Sequence, residues 1–178
     1  MSVDRDSDKR RAAVVCRPPR LEDGGPIRRL IDEIGTLEAN TSYAYLLMAT
    51  HFAPTCTVAE LDGELIGFVW GYRPPSDPST WFVWQVGVSP AARGLGVART
   101  LLTAALRQPG NAGVRWLEAT VEPDNQASRA LFTSMARRMG ASLEVRPHFE
   151  PEHFAAPGHA PEHLFRIGPL DPDPEVQP

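Results

Sequence analysis

The most constraining feature of this chain is a strand that leads into a helix through a short turn with two glycines. The apolar strand pattern ends at Val88, and helical spacing begins at Leu95, which stands between Gly94 and Gly96. Glycine lets the main chain bend sharply and approach a ligand closely. The first N–H groups of a helix have no partner inside it, so a turn of this kind suits a pyrophosphate. The same pattern is also common as a plain connection in α/β proteins, and the Walker and dinucleotide motifs are both incomplete here.

Hydrophobic spacing along the rest of the chain predicts an α/β fold. Apolar residues repeat on one helical face in four segments, near residues 27–34, 43–47, 95–106 and 125–139. Alternating or continuous apolar runs predict seven strands, at 12–16, 55–61, 64–72, 81–88, 114–121, 142–146 and 164–167. Asp62-Gly63 predicts a tight hairpin turn between the second and third strands. The order of these elements predicts a mixed sheet that is covered by helices on its faces.

Length and composition are those of one globular domain. The chain has 178 residues, of which 42% are hydrophobic and 22% charged, and we expect a single domain over 12–170 with flexible tails at 1–11 and 171–178. No run approaches the roughly 18 apolar residues of a membrane helix, and no apolar signal region opens the chain, so we expect a cytoplasmic protein. A net charge of −4 argues against nucleic acid as a partner. Cys16 and Cys56 lie in strand-like runs, which predicts buried free thiols.

Two short motifs resemble the GNAT acetyltransferases. The segment Arg93-Gly94-Leu95-Gly96-Val97-Ala98 resembles their Arg/Gln-x-x-Gly-x-Gly/Ala signature, and the segment that opens at Asn125 resembles their Asn-x-x-Ala helix start. The resemblance implies the GNAT fold, a mixed central sheet of about six to seven strands that is flanked by about four helices and splayed at an acetyl-CoA site. It implies acetyl-CoA as the cosubstrate, with the thioester oxygen at main-chain N–H groups of the strand before the turn. The residues that it places at the coenzyme are Val86, Val88, Arg93, Gly94, Gly96, Val97, Ala98 and Asn125.

Longer segments resemble one branch of that family, the L-2,4-diaminobutyrate acetyltransferases of ectoine biosynthesis. These segments occupy residues 37–45, 71–75, 82–86, 117–121 and 159–169. The resemblance implies transfer of an acetyl group to the γ-amine of L-2,4-diaminobutyrate, with N4-acetyl-diaminobutyrate as the product, and it implies a homodimer. The chain departs from the branch at Glu38-Ala39, where the branch has Asp-Leu, and at Ala160, where it has glutamate. The first departure keeps the charge and the second removes a carboxylate, so their effect on substrate choice stays open.

Diaminobutyrate carries two ammonium groups and one carboxylate, so its site needs carboxylates and an aromatic face. The residues that the resemblance places at the substrate are Glu38, Trp84, His159 and Glu162, and those that it places in catalysis are Glu38, Tyr43, His159 and Glu162. A tryptophan face attracts an ammonium group. The reacting amine must lose a proton before it attacks the thioester, and Glu38, Glu162, His159 or a water molecule are all able to accept it. From the residues alone, the core is the favoured position of Trp84 and an open one for Tyr43, and an exposed surface is the commoner position of a glutamate.

Alternative interpretations stay open for the acid, the metal and the activity. Many GNAT enzymes carry a tyrosine near the position of Phe132 to protonate the thiolate, and its absence here leaves Tyr43 or no acid. Residues 159–163 match the His-x-x-Glu-His pattern of zinc hydrolases, but Pro161 argues against the helix which that pattern needs, and we expect no metal. The chain is alternatively a GNAT acetyltransferase for another small amine or a peptide N-terminus, or a non-catalytic module that binds acyl-CoA.

Overall fold

The computed structural model describes residues 13–37, 39–154 and 158–171. Within these ranges the chain forms seven strands and four α-helices, in the order that the hydrophobic spacing predicts. The bounds are β1 Val15–Arg17, α1 Gly24–Ile34, α2 Ser42–Thr50, β2 Thr57–Leu61, β3 Glu64–Tyr72, β4 Thr80–Val88, α3 Val97–Leu106, β5 Trp116–Val121, α4 Gln126–Arg138, β6 Ser142–Phe149 and β7 Glu162–Gly168. The predicted tails lie outside the described residues, apart from Asp171.

The strands form a mixed sheet with the order β1-β2-β3-β4-β5-β7-β6. β4 and β5 are parallel, from the pair Thr80 and Trp116 to the pair Val83 and Ala119. β1 with β2, β2 with β3, β5 with β7 and β6 with β7 are antiparallel. This mixed sheet with its helices confirms the predicted fold class.

The described residues divide into two compact units that share β4. The first unit holds the chain up to Tyr72 together with Gln85–Ala112, and the second holds Arg73–Trp84 together with the chain from Gly113 onward.

In the first unit, α1 and the β2–β3 hairpin follow directly from local sequence. Four apolar side chains of α1, spaced on one helical face, are buried: Ile27, Leu30, Ile31 and Ile34. Gly35 ends the helix in the left-handed conformation, with φ of 68°. At the hairpin, Asp62 and Gly63 both have positive φ, 53° and 82°. Two positive φ angles are those of a type I′ turn, which confirms the predicted hairpin.

In the second unit, Arg166 ties β7 to its neighbours. Its guanidinium donates a hydrogen bond to Glu118 on β5, lies 4.3 Å from the ring centroid of Trp116 and is 3.7 Å from Asp77. Asp77 in turn accepts hydrogen bonds from the hydroxyls of Ser79 and Thr80, at 2.6 and 2.7 Å, which hold the pKa of its carboxyl below the usual value. These contacts fix the loop that leads into β4, and hence the position at which that strand begins.

Candidate active site

Hydrogen bonds of Ser89 hold the start of the turn after β4 in place. Its N–H donates to the carbonyl of Ile66 at 2.8 Å, and its hydroxyl donates to Glu33 Oε1 at 3.1 Å and accepts from the N–H of Ala91 at 3.3 Å. The last of these contacts caps a short 3-10 turn, Pro90–Ala92. A turn held in this way at its start presents the residues that follow in one conformation.

The predicted glycines of the turn both adopt the left-handed conformation. Gly94 has φ of 80° and Gly96 has φ of 73°, a region that residues with a side chain enter only at a cost. A Cβ atom built on Gly94 would have no atom within 4 Å, so the turn is open to solvent on that side. Glycine is therefore required at Gly94 by the backbone and not by crowding.

Helix α3 begins without an internal cap. Gly96 is its N-cap residue and makes no side-chain capping bond, and the first helical hydrogen bond runs from Thr100 N–H to the carbonyl of Gly96 at 3.1 Å. Within the described part of the chain, the N–H groups of residues 94–98 donate to no main-chain acceptor outside the helix. Unpaired N–H groups at a helix start, with the positive end of the helix dipole behind them, suit an anion. Arg93, beside them, is exposed.

Strand β4 has the alternation expected of a strand with two covered faces. Trp84, Val86 and Val88 lie on one face and are half-buried, whereas Gln85 and Gly87 between them are buried. Trp81, on the opposite face from Trp84, is fully buried, as its strand parity predicts. The ladder with β5 covers the first four residues of β4, up to Val83.

Helix α2 carries Tyr43 on an exposed position. Thr41 caps the helix by accepting a hydrogen bond from the N–H of Ala44 at 3.3 Å, and Tyr43 is 68% exposed. Tyr45 is fully buried, and its hydroxyl oxygen accepts from the N–H of Asn40 at 2.7 Å. Tyr45 is therefore a core residue, and Tyr43 is the tyrosine of this helix that can reach a ligand. Glu38, the predicted carboxylate before the helix, lies outside the described residues.

In the second unit, Asn125 caps α4 with the oxygen of its side-chain amide. Its Oδ1 accepts from the N–H of Ser128 at 3.0 Å and so caps α4. An amide side chain has two donors on its nitrogen besides the oxygen acceptor. Asn125 is an exposed residue, and its Nδ2 group is therefore the end that can contact a coenzyme.

His159 is held in a defined orientation. Its Nδ1 lies 2.7 Å from the carbonyl oxygen of Ala160, and its ring stacks on Phe154 with centroids 3.6 Å apart and planes 6° apart. Because a carbonyl oxygen only accepts, we assign the proton of the neutral ring to Nδ1, which leaves the lone pair on Nε2. Sequence reasoning missed Phe154, since no spacing rule connects two ring positions on either side of a loop.

Glu162 is the first residue of β7 and is half-buried, opposite Phe149 in the ladder with β6. Because Glu162 and His163 are consecutive residues of a strand, they point to opposite faces, and the helix required by the zinc-hydrolase pattern is not formed over these described residues. Among residues 13–37, 39–154 and 158–171, no group of three or more His, Cys, Asp or Glu side chains is placed to hold a metal ion.

Neither cysteine has the surroundings of a nucleophile. Both are free; Cys56 is buried and Cys16 is half-buried. Burial raises the pKa of the Cys56 thiol to about 12, and burial also raises the pKa of Cys16. Both side chains are therefore protonated thiols at neutral pH.

No helix in the described ranges is long and apolar enough to cross a membrane.

Comparison with known proteins decides the family. The family model described as the acetyltransferase (GNAT) family matches residues 27–136, which contain the turn after β4 and most of α4. The chain belongs to the GNAT acetyltransferase family. The resemblance carried by the two short motifs is confirmed.

Several relatives of this GNAT chain share one name, L-2,4-diaminobutyric acid acetyltransferase. The L-2,4-diaminobutyric acid acetyltransferases of Chromohalobacter salexigens and Nocardia farcinica are each 46% identical to it, over 88% of this chain and 81% and 80% of theirs. Among solved structures, the diaminobutyrate acetyltransferase EctA from Paenibacillus lautus, in complex with L-2,4-diaminobutyric acid and coenzyme A, has a TM-score of 0.85 and 39% identity, covering 90% of this chain and 97% of the other. Ard1 from Thermoplasma volcanium, 16% identical with a TM-score of 0.72 over 89% of this chain and 99% of the other, shares the GNAT fold.

Proposed function

We propose that this chain transfers the acetyl group of acetyl-CoA to the γ-amine of L-2,4-diaminobutyrate and releases N4-acetyl-diaminobutyrate, a step of ectoine biosynthesis. The observation that carries the proposal is the 46% identity to diaminobutyric acid acetyltransferases over most of both chains. The uncapped N–H groups at the start of α3 support it independently, because they suit the diphosphate of a coenzyme.

The chain's own residues fit acetyl-CoA in three places. We assign the diphosphate to the N–H groups of residues 94–98, beside the exposed Arg93. We assign the thioester oxygen to main-chain N–H groups of Val86 and Val88, which follow the point where the β4–β5 ladder ends. The Nδ2 group of Asn125 is assigned to the pantetheine arm. The bound coenzyme supplies an acyl thioester, and every other requirement of the reaction falls on the protein.

The substrate residues that we propose are those with the charge and shape that diaminobutyrate demands. Glu162, at the start of β7, and Glu38 are assigned to its ammonium groups. The ring face of Trp84 is assigned to contact one of these ammonium groups. Tyr43 is exposed on α2 and offers a hydroxyl. The replacement of the branch's glutamate by Ala160 leaves Glu162 as the nearest carboxylate in that part of the sequence.

We assign proton transfer from the γ-ammonium to Nε2 of His159. An alkyl ammonium has a pKa of about 10, so it holds its proton at neutral pH and cannot attack until a base removes it. The hydrogen bond from Nδ1 to Ala160 keeps the lone pair on Nε2, and the Phe154 stack holds the ring in place. The amine nitrogen then attacks the thioester carbon, the carbon–sulfur bond breaks and the thiolate leaves. The nitrogen releases its second proton to solvent as the amide forms.

The departing thiolate needs little assistance, because a thiol has a pKa of about 8.5. Phe132, at the position where many GNAT enzymes carry a tyrosine, is buried in the core and has no proton to donate. We assign Tyr43, the exposed tyrosine of α2, as the group that protonates the thiolate after it has left, and Tyr43 regains its proton from solvent. In this proposal the enzyme is a cytoplasmic homodimer that serves the response to osmotic stress, as the ectoine pathway implies, and it acts without a metal, a nucleic acid or a membrane.

The decisive experiment is an assay of the purified chain with acetyl-CoA and L-2,4-diaminobutyrate, followed by NMR of the product. We expect release of coenzyme A and an acetyl group on the γ-nitrogen. Turnover only with other amines or with peptide N-termini would remove the substrate assignment and keep the family. Calorimetric binding of acetyl-CoA without turnover on a panel of amines would instead favour a non-catalytic acyl-CoA-binding module.

Two variants, Gly94→Ala and its control Gly63→Ala, test the diphosphate site. Gly94→Ala forces a side chain into the left-handed region at a cost of about 1 to 2 kcal/mol, so the turn relaxes and its N–H groups move. We expect the KM for acetyl-CoA to rise about tenfold, with kcat nearly unchanged. Steady-state kinetics with acetyl-CoA as the varied substrate measures the effect.

Gly63→Ala is the matched control for this pair. Gly63 has nearly the same φ as Gly94, 82° against 80°, and a Cβ at either position has no atom within 4 Å. The Gly63→Ala variant therefore has the same backbone strain, located in the β2–β3 hairpin. Its KM for acetyl-CoA should stay at the wild-type value. Equal KM values for the two variants would show that the Gly94 turn does not hold the coenzyme.

A further inference from the structure

Strand β6 has an exposed edge. It is the last strand in the sheet order, and among the described residues no strand pairs with it on the side away from β7. From Glu144 to Phe149 every residue is exposed, including two large apolar ones, Val145 at 42% and Phe149 at 38%. An open strand edge of this kind is a template for another strand, and proteins rarely leave one without a partner or a means of protection.

The sequence of β6 is complementary to itself. When two copies of the strand pair antiparallel about Val145, residues whose numbers sum to 290 face each other, so Glu144 faces Arg146 of the other copy and the reverse pair repeats the contact. Opposite charges directly across two strands stabilise the pairing, and like charges destabilise it. In one copy alone, Glu144 and Arg146 form an exposed ion pair with each other, with Nε and Oε1 3.7 Å apart, so association exchanges this contact for two contacts between the copies.

The other face of the strand is apolar in the same pairing. Leu143, Val145 and Pro147 alternate with the charged residues and so share one face. Pairing about Val145 sets Val145 against its own copy and Leu143 against Pro147. One face of the joined strands is then apolar and the other is neutral, which is the pattern of a strand pair inside a continuous sheet.

The peptide groups also permit this register. Pro147 has no N–H, and proline stands in a strand where its nitrogen points away from the neighbouring strand. Pro147 pairs with His163 of β7, so in an antiparallel ladder Val145 and Leu143 point their peptide groups to the open edge as Pro147 does. Val145 then exchanges two hydrogen bonds with its copy, and each Leu143 donates to the carbonyl of Pro147 on the other strand. The return bond to the carbonyl of Leu143 does not form, because Pro147 has no N–H.

We propose that two copies of this chain associate through β6, paired antiparallel about Val145, and that the Glu144–Arg146 contacts set the register. The proposal rests on the homodimer of the proposed function and names its surface. Association extends the strand order of each copy through the partner. It also places the ring of Phe149, which is 6.1 Å from that of Phe154, beside the joined strands.

A charge exchange tests the surface on the full-length chain. Arg146→Glu sets two pairs of glutamates against each other across the two-fold axis, and Glu144→Arg does the same with arginines. We expect each single variant to raise the dimer dissociation constant roughly tenfold or more, measured by sedimentation velocity over a dilution series. The double variant E144R/R146E restores both opposite pairs, and we expect it to return to the wild-type dissociation constant.

The double variant separates this surface from a general effect of charge. Arg107→Glu, an exposed reversal outside β6, is the control and should leave the dissociation constant unchanged. Two results would overturn the β6 surface but not the homodimer. One is a dissociation constant that neither single variant changes, and the other is a double variant that does not return to the wild-type dissociation constant. A wild-type chain that is monomeric and still acetylates diaminobutyrate would overturn both the surface and the dimer and leave the activity.

Discussion

His159→Gln is expected to lower kcat for acetylation of diaminobutyrate by about 10² to 10⁴-fold, the range measured when a general base is removed. Glutamine fills a similar space and keeps hydrogen-bonding groups at the end of its side chain, but it cannot take a proton at neutral pH. The KM for acetyl-CoA should change little, because the coenzyme is assigned to other residues. Stopped-flow and steady-state assays of thiol release give both constants.

His153→Gln is the matched control. His153 lies on the same segment between β6 and β7, is exposed, and uses Nδ1 to accept a hydrogen bond from the N–H of Glu150 at 3.0 Å. Its tautomer is thus the reverse of that of His159, and it has no assigned part in the reaction, so kcat should stay within about threefold of wild type.

The alternatives for the proton acceptor give different results in the same experiment. If His159→Gln keeps more than half of kcat, proton transfer to Nε2 is wrong and the acceptor is Glu162, Glu38 or water. Glu162→Gln then becomes the informative variant. Nitrogen NMR of wild-type His159 offers an independent check, because the assigned tautomer requires a protonated Nδ1 and an unprotonated Nε2 in the neutral ring.

Gly110→Ala is expected to lower the free energy of unfolding by about 3 kcal/mol, at the upper end of the usual cost of overpacking. A Cβ at Gly110 would lie 2.4 Å from the carbonyl oxygen of Pro54 and 2.7 Å from its carbonyl carbon. Both are backbone atoms, which cannot turn aside as a side chain does. The turn at Ala53–Thr55 and the turn at Pro109–Asn111 would have to separate. Their separation would strain the hydrogen bond at 2.8 Å from the buried side-chain amide of Asn111 to the carbonyl of Ala105.

Gly25→Ala makes the same chemical change where there is space. Gly25 lies in the first turn of α1, and the nearest atom to a Cβ there is a guanidinium nitrogen of Arg29 at 3.8 Å. Alanine in a helix is favoured over glycine, but the ring of Pro26 disfavours the helical conformation of a preceding residue that has a Cβ, so this variant should stay within about 1 kcal/mol of the wild type. Urea denaturation of both variants measures the difference, and equal stabilities would contradict the close approach of the two turns.

Much of the fold was predictable because its signals are local. The Asp62-Gly63 turn, the helix stop at Gly35 and the apolar face of α1 are each written within a few residues, and the structure confirms them. The strands after α4 were predicted too short: β6 continues to Phe149 and β7 begins at Glu162. Pro147 caused the error at β6, because proline usually ends a strand, but on an edge strand its missing N–H faces away from the ladder.

The sequence by itself determined the order of the elements, the glycine turn after β4 and the family, since each depends on residue types at short spacings. The tertiary structure alone decided that Arg166 joins Glu118 and Trp116, that Phe154 stacks on His159, and that β6 leaves an open edge. Those features depend on which distant segments meet, and a long loop or a strand order leaves no periodic trace in the residues themselves. The local pattern supplies the groups that react, and the packing of remote segments fixes the orientation in which they do so.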